Sequence, residues 1–368
     1  MYLILSLFYC IMANTNPIYL NTASCGLLDP QAVDATNVLY SKMLTCSSTA
    51  AEELRDKGLQ RIRQTVAGFL QAPVNNIAFI PNFSYALNAI VQALKGTEKV
   101  MLYRNDYPSV LEPFRINHFD ITWIEAGDGF DINIEELKAS LLTNKIDVLA
   151  ISHVQWMSGY KLNIKEVGSF CAANNIAFIV DATQSMGAIS IRIDELDVDV
   201  LIASNYKWMN GGFGAGVMYM SDAFLKRYPP VIGGNASYAM VGDEWKYTPS
   251  LRSYEPGHLN LHGLLILEIA TNKKLEAGIK AIEQHNMYLT QQLVKGIEET
   301  EFELLGNTGM INRSSIVLIK ATVELQKYLS GNNIISIYRN GYVRISIHYH
   351  NTEADIEAIL KSLKSYAK

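Results

Sequence analysis

Between residues 77 and 220 the chain alternates short, almost wholly apolar runs with longer stretches of helical periodicity. The runs at 77–80, 100–103, 121–124, 148–152, 177–181, 200–203 and 216–220 show little polar alternation, the pattern of strands covered on both faces. Stretches at 84–94, 134–142 and 164–174 read as intervening helices. Asp131 and Asn133 supply polar caps just ahead of Glu135 and Glu136. This alternation predicts an α/β fold built on a mostly parallel, doubly wound sheet.

After residue 229 the texture changes. Pro229, Pro230, Gly233, Gly234, Pro249, Pro256 and Gly257 punctuate a loop-rich stretch. One long helix is expected from about His262 through the 280s. Strands at 315–320 and 342–348 and a closing helix at 353–366 follow. The expected organisation is a large domain over 16–250 and a smaller C-terminal α+β domain over 251–368. Within the first, residues 16–49 form an N-terminal segment able to pack on the small domain.

Residues 1–12, MYLILSLFYCIM, are nearly all apolar. No basic residue precedes the run, as a secretory signal requires, and a membrane-spanning helix needs about 20 residues. Residues 1–15 therefore read as a tail or an over-long start, with a signal or interfacial anchor as the alternative. Composition narrows the class further. With 49% hydrophobic and 18% charged residues among 368, global disorder is excluded. The formal charge is −5 and the cations form no stripe, which argues against a nucleic-acid partner. Four cysteines without a C-x-x-C pair give neither a disulfide framework nor a zinc site. The expectation is a cytoplasmic enzyme with no membrane partner.

The densest chemical signal lies at two strand ends. Residues 177–181 run into Asp181-Ala182-Thr183-Gln184, and 200–203 into Ser204-Asn205-Tyr206-Lys207 followed by a glycine-rich loop. Ligands of open α/β sheets bind at the carboxyl ends of strands, so Asp181 and Lys207 can face one ligand. A lysine leaving a buried strand loses solvation, which lowers its pKa and makes it a competent amine nucleophile. Upstream, 77–80 lead through Pro81-Asn82-Phe83 to Ser84 at a helix start, where free amides suit a phosphate. A phosphate holder, a Schiff-base lysine and an acid able to pair with a pyridinium describe pyridoxal 5'-phosphate (PLP). A nucleotide-binding Rossmann reading fails, since no Gly-x-Gly-x-x-Gly follows the first strand.

With Asp-x-x-Gln and Ser-x-Tyr-Lys in place, the sequence resembles the class V aminotransferase group of fold type I PLP enzymes. That group includes cysteine desulfurases, kynureninases and isopenicillin N epimerase-like proteins. The resemblance runs from Leu20-Asn21-Thr22-Ala23-Ser24 to His350-Asn351-Thr352-Glu353-Ala354-Asp355. It implies that Lys207 carries the cofactor, Asp181 pairs with the pyridine nitrogen and Gln184 meets the ring's phenolic oxygen. Phe83, Ser84, Ser204 and Tyr206 would meet the phosphate, Tyr107 would stack on the ring, and Arg344 would grip the substrate carboxylate. Trp156 stands where desulfurases have an asparagine near the ring. His258 stands where relatives place a threonine reaching the partner subunit's phosphate, which implies a homodimer.

The departures are equally specific. Desulfurases carry a catalytic cysteine shortly before that arginine, whereas residues 331–341 contain none and the last cysteine is Cys171. The expected activity is chemistry at the α carbon of an amino acid, with aminotransferase favoured. A C–S or C–C lyase or an epimerase of the same family is the alternative. A catalytically inactive PLP-fold binding protein is the rival of another class.

Overall fold

The computed structural model describes residues 17–125, 130–306 and 309–366; residues 1–16, and with them the apolar N-terminal run, lie outside the described residues. Strand β1 is Ile18–Tyr19, and helices α1 (Pro30–Glu53) and α2 (Leu59–Leu70) follow. The central elements come next in chain order: β2 (Ile77–Ile80), α3 (Phe83–Ala93), β3 (Lys99–Tyr103), α4 (Pro108–Ile116), β4 (Asp120–Ile124), α5 (Ile134–Thr143) and β5 (Val148–Ser152). They continue with α6 (Ile164–Ala173), β6 (Ala177–Asp181), β7 (Val200–Ser204), β8 (Gly216–Met220) and α7 (Asp222–Arg227).

Seven strands form one sheet in the order β2-β8-β7-β6-β5-β3-β4. Only β8 runs against the others, pairing antiparallel with both β2 and β7. The sheet is therefore mostly parallel and doubly wound. Its apolar runs are filled on both sides. Leu149, Ile151, Phe178, Val180 and Leu201 enter one core, and Val148, Ala150, Ala177, Ile179, Val200 and Ile202 enter the other. Alternate residues of a strand face opposite ways, so burying every position needs a helical layer on each face.

A hairpin of β9 (Tyr238–Val241) and β10 (Glu244–Tyr247) stands off the surface, and α8 (Leu261–Ala277) and α9 (Ile279–Glu298) follow. The single long helix expected here is two. Gly278, at φ +79°, separates them, a left-handed backbone that glycine adopts without a Cβ penalty. Helix α8 lies against the large sheet, with Leu264 and Leu267 in its core.

The last elements are β11 (Ile316–Lys320), α10 (Val323–Gly331), β12 (Ile334–Ile335), β13 (Ile337–Arg339), β14 (Tyr342–Ser346) and α11 (Glu353–Tyr366). Strand β14 is central in the sheet β11-β14-β13, and β1 pairs parallel with β12. A third core of Leu289, Leu293, Val317, Ile319, Val343, Ile345 and Ile359 includes Leu20. The N-terminal segment thus joins this smaller unit before crossing to the large sheet. No described helix is long and apolar enough to cross a membrane.

Candidate active site

Two of the expected residues, Asp181 and Ser204, are placed by strand parity alone, together with Ser152, which sequence reasoning did not single out. Ser152, Asp181 and Ser204 are the last residues of the parallel strands β5, β6 and β7. Each continues the alternation that puts Val148, Ala177 and Val200 into the core beneath α3. They therefore emerge on one face, at the end where α3 begins. Register brings Ser152 directly beside Asp181. A cavity of about 360 Å3 opens there. Its walls include Phe83, Ser84, Tyr107, Trp156, Asp181, Gln184, Ser204, Tyr206 and Lys207, nine of the eleven residues singled out from sequence.

Lys207 and Asp181 are each 7% exposed. Burial pulls the Lys207 ammonium down to about 8, with the Arg344 and Arg339 charges pushing the same way and Asp181 opposing. Burial likewise pushes the Asp181 carboxyl up to about 7, with Asp106 adding to the shift. The Thr183 amide, donating to Asp181 Oδ1 at 2.8 Å, opposes it, as does Lys207. A dry acid and a dry amine sharing one cavity are costly unless a ligand pairs with them.

The α3 terminus completes that half of the site. Asn82, not Ser84, caps the helix: its side chain accepts from the Tyr85 amide at 2.9 Å, and Ser84 is the second helical residue. The Phe83 amide donates to Ser204 Oγ at 2.9 Å, and Ser84 Oγ donates to Ser109 Oγ at 2.7 Å. Two serine hydroxyls and a helix start converge on one wall. The Tyr107 and Tyr206 ring centroids lie 5.6 and 5.7 Å from Lys207 Nζ, and Tyr206 stacks on Phe213 at 4.7 Å. Trp156 meets Tyr107 edge-on at 5.5 Å.

Gln184 is held at both ends. Trp208 Nε1 donates to its Oε1 at 2.7 Å, and its Nε2 donates to the Ala23 carbonyl at 3.1 Å. The amide cannot flip, so its remaining N–H is a fixed donor. Gly26 packs the N-terminal segment on the lysine loop. Its amide donates to the Tyr206 carbonyl at 2.8 Å, and a Cβ there would sit 2.0 Å from the Lys207 carbonyl oxygen.

Arg344 and His258 are not on this cavity wall. Arg344, 2% exposed, lies behind Trp156 and donates to the Trp156 carbonyl at 2.8 Å and to Ser24 Oγ at 2.7 Å; its Nε has no partner. His258 is exposed and lines a separate hollow, which shares Pro81 and Gly214 with the cavity.

Sequence reasoning missed three contributors besides Ser152. Asp106 is a buried carboxylate that fastens the Tyr107 loop to β5, accepting from the Tyr107 amide at 2.7 Å and from the Ser152 amide at 2.8 Å. Thr183 bridges Asp181 and the Ser204 amide. Trp208 clamps Gln184. Asp106 and Trp208 adjoin residues already chosen, and that adjacency was their only local signal.

The donor set fits PLP: a hydroxyl-lined helix start for phosphate, an acid for the ring nitrogen, a fixed amide donor and a dehydrated amine. A family model described as Aminotransferase class-V matches residues 18–359. A probable cysteine desulfurase of Pyrococcus abyssi is 23% identical over 95% of this chain and 94% of its own length. The cysteine desulfurase of Thermococcus onnurineus NA1 superposes with a TM-score of 0.85 at 21% identity, covering 95% of this chain and 94% of that one. The cystine C–S lyase C-DES, solved with cysteine persulfide, gives 0.84 at 18% identity over 95% and 97%. Another C-DES structure carries glycine linked covalently to PLP.

Proposed function

The chain belongs to the aminotransferase class-V family, and on that premise we propose that it is a PLP-dependent C–S lyase acting on an L-cysteine derivative substituted at sulfur. The carrying observation is the pairing of a dehydrated Lys207 and Asp181 in one cavity, with no cysteine on the 331–341 segment above it. The sulfur chemistry named for the relatives supports elimination ahead of the aminotransferase expectation. The missing loop cysteine argues against sulfur transfer through a protein persulfide.

When bound, PLP supplies an electron-accepting ring conjugated to the substrate's Cα. Asp181 would hold the proton-bearing ring nitrogen, and the free N–H of Gln184 Nε2 would donate to the ring's oxygen. Ser84, with its hydroxyl and backbone amide at the start of α3, and Ser204 would hold the phosphate. Arg344 orients the substrate carboxylate through a two-pronged guanidinium contact. Lys207 Nζ takes the Cα proton. The Cβ–S bond breaks with its electron pair on sulfur, which leaves as a thiolate and is protonated. The net reaction takes up one water: the substituted cysteine becomes a thiol, pyruvate and ammonium. Cystine would give cysteine persulfide, pyruvate and ammonium.

Incubation of the PLP-loaded protein with L-cystine and L-cysteine, followed by product analysis, tests the reading. Pyruvate and ammonium in equal amounts are expected. Alanine together with labelled persulfide on Cys25, Cys46 or Cys171 would make it a desulfurase, and a 2-oxo acid formed without ammonium would make it a transaminase.

A homodimer is part of the same proposal. Phe213, on the cavity wall, and Trp245, on the β9–β10 hairpin, are each 66% exposed, and Leu44 on α1 is 86% exposed. Exposed large apolar side chains, one of them on the cavity wall, suit a second copy, which would also bring His258 to the neighbour's phosphate. Sedimentation at micromolar protein should give a dimer. A monomer that binds PLP tightly would reduce His258 to a surface residue.

A further inference from the structure

The β13–β14 ladder brings two cations, Arg339 and Arg344, against Trp156 of the cavity wall. In the β13–β14 pairing, Ile337 lies opposite Arg344 and Arg339 opposite Tyr342. Cross-strand partners share a face, and so do residues two apart on one strand. Arg339, Tyr342 and Arg344 therefore lie on the same face of the small sheet, away from the core that takes Val343 and Ile345. Asn340 at φ +48° and Gly341 at φ +85° join the strands by a two-residue turn with both residues left-handed. That turn type suits the twist of a tight hairpin and holds Arg339 at its tip.

Both guanidinium groups converge on one residue of the cavity wall. Arg344 Nη1 donates to the Trp156 carbonyl, and the Arg339 guanidinium carbon stands 6.0 Å from the Trp156 ring centroid. Among the described residues, no carboxylate lies within 4.0 Å of either arginine. The Arg339 charge is felt inside, where it disfavours the charged forms of both Lys207 and Arg344. The proposed chemistry accounts for the other groups: Asp181 for the ring nitrogen, the α3 end for the phosphate, Arg344 for the α-carboxylate. Arg339 is left over, an exposed cation over Trp156 of the cavity wall with no carboxylate partner among the described residues.

We propose that Arg339 is a specificity-determining residue which selects amino acids whose side chain ends in an anionic group, with the Trp156 ring beneath the guanidinium keeping it flat against the entrance. It rests on the reading of the cavity as an amino-acid site, but not on which bond is then broken. A planar guanidinium accepts a carboxylate or sulfonate in a two-pronged contact. Because Arg339 is exposed, salt should weaken the contact.

L-glutamate and L-glutamine differ in little beyond that distal charge, and neither carries a sulfur leaving group on Cβ for the proposed elimination to remove. Their dissociation constants on the PLP-loaded protein, from calorimetry and from the cofactor absorbance, give a readout independent of turnover. The acid should bind roughly ten-fold tighter at low salt, with the ratio shrinking as salt is added. Arg339→Gln should bring the ratio close to one, and Arg339→Lys should restore part of it. The hairpin-tip position keeps these variants folded, which circular dichroism checks. Equal affinity for both compounds, or an unchanged ratio in Arg339→Gln, overturns the assignment and leaves the amino-acid site standing. If neither compound binds and no common amino acid perturbs the cofactor, both readings fall.

Discussion

Lys207→Ala should abolish the borohydride-stable attachment of PLP to the polypeptide and cost about 10^4-fold or more in turnover, since one side chain both anchors the cofactor and moves the Cα proton. Mass spectrometry of the reduced, digested protein checks the first part. Cofactor mass on any other lysine would remove Lys207 from its role. The wild type offers a second measurement. With its pKa lowered from 10.5 to about 8 by burial, the amine is about one-tenth neutral at pH 7 and about nine-tenths neutral at pH 9. The rate of PLP attachment to cofactor-free protein should rise roughly ten-fold across that interval. A lysine keeping its usual pKa would rise about a hundred-fold instead and would not level off by pH 9.

Arg344→Ala is the second large effect. The guanidinium is dehydrated, has no acidic partner within 4.0 Å among the described residues, and leaves Nε without any acceptor. Burial in this state is expensive, and a substrate carboxylate is its natural complement. Nε and the Nη2 now resting on Ser24 Oγ are the donors such a carboxylate would take. Charge-assisted pairing of this kind contributes roughly 2–5 kcal/mol, equivalent to about 30- to several-thousand-fold in kcat/KM. The variant should lose that factor and still bind PLP with an unchanged absorbance. Arg344→Lys, which keeps the charge without the planar fork, should recover only part of the loss. Full activity in Arg344→Ala, or a wild-type preference for amines lacking a carboxylate, would make the arginine structural.

The seven strands and the helices read at 84–94, 134–142 and 164–174 were legible because burial on both faces leaves a local mark: runs such as 148–152 and 177–181 carry apolar residues at successive positions. The chemistry at their ends was legible for the same reason. Asp181 and Ser204 are polar residues terminating apolar runs, and Lys207 follows within three residues, so sequence distance bounded their separation in space. The break at Gly278 was harder to read. A glycine inside a helical pattern marks a stop only when the backbone turns left-handed, and the packing of α9 beside α11 decides that.

What the chain alone determined, then, is the part of the site written within single strand–loop segments. The tertiary structure decided the rest. Trp208 became the clamp on Gln184 because the lysine loop folds back over the strand end. Arg344 came to rest on Trp156, 188 residues away, and on Ser24, 320 residues away. Arg339 joined it through the register of a two-strand ladder. Periodicity records which face of an element is buried, a property of neighbours along the chain. Which buried faces then meet is set by the packing of whole layers, and no local pattern of polar and apolar residues carries that information.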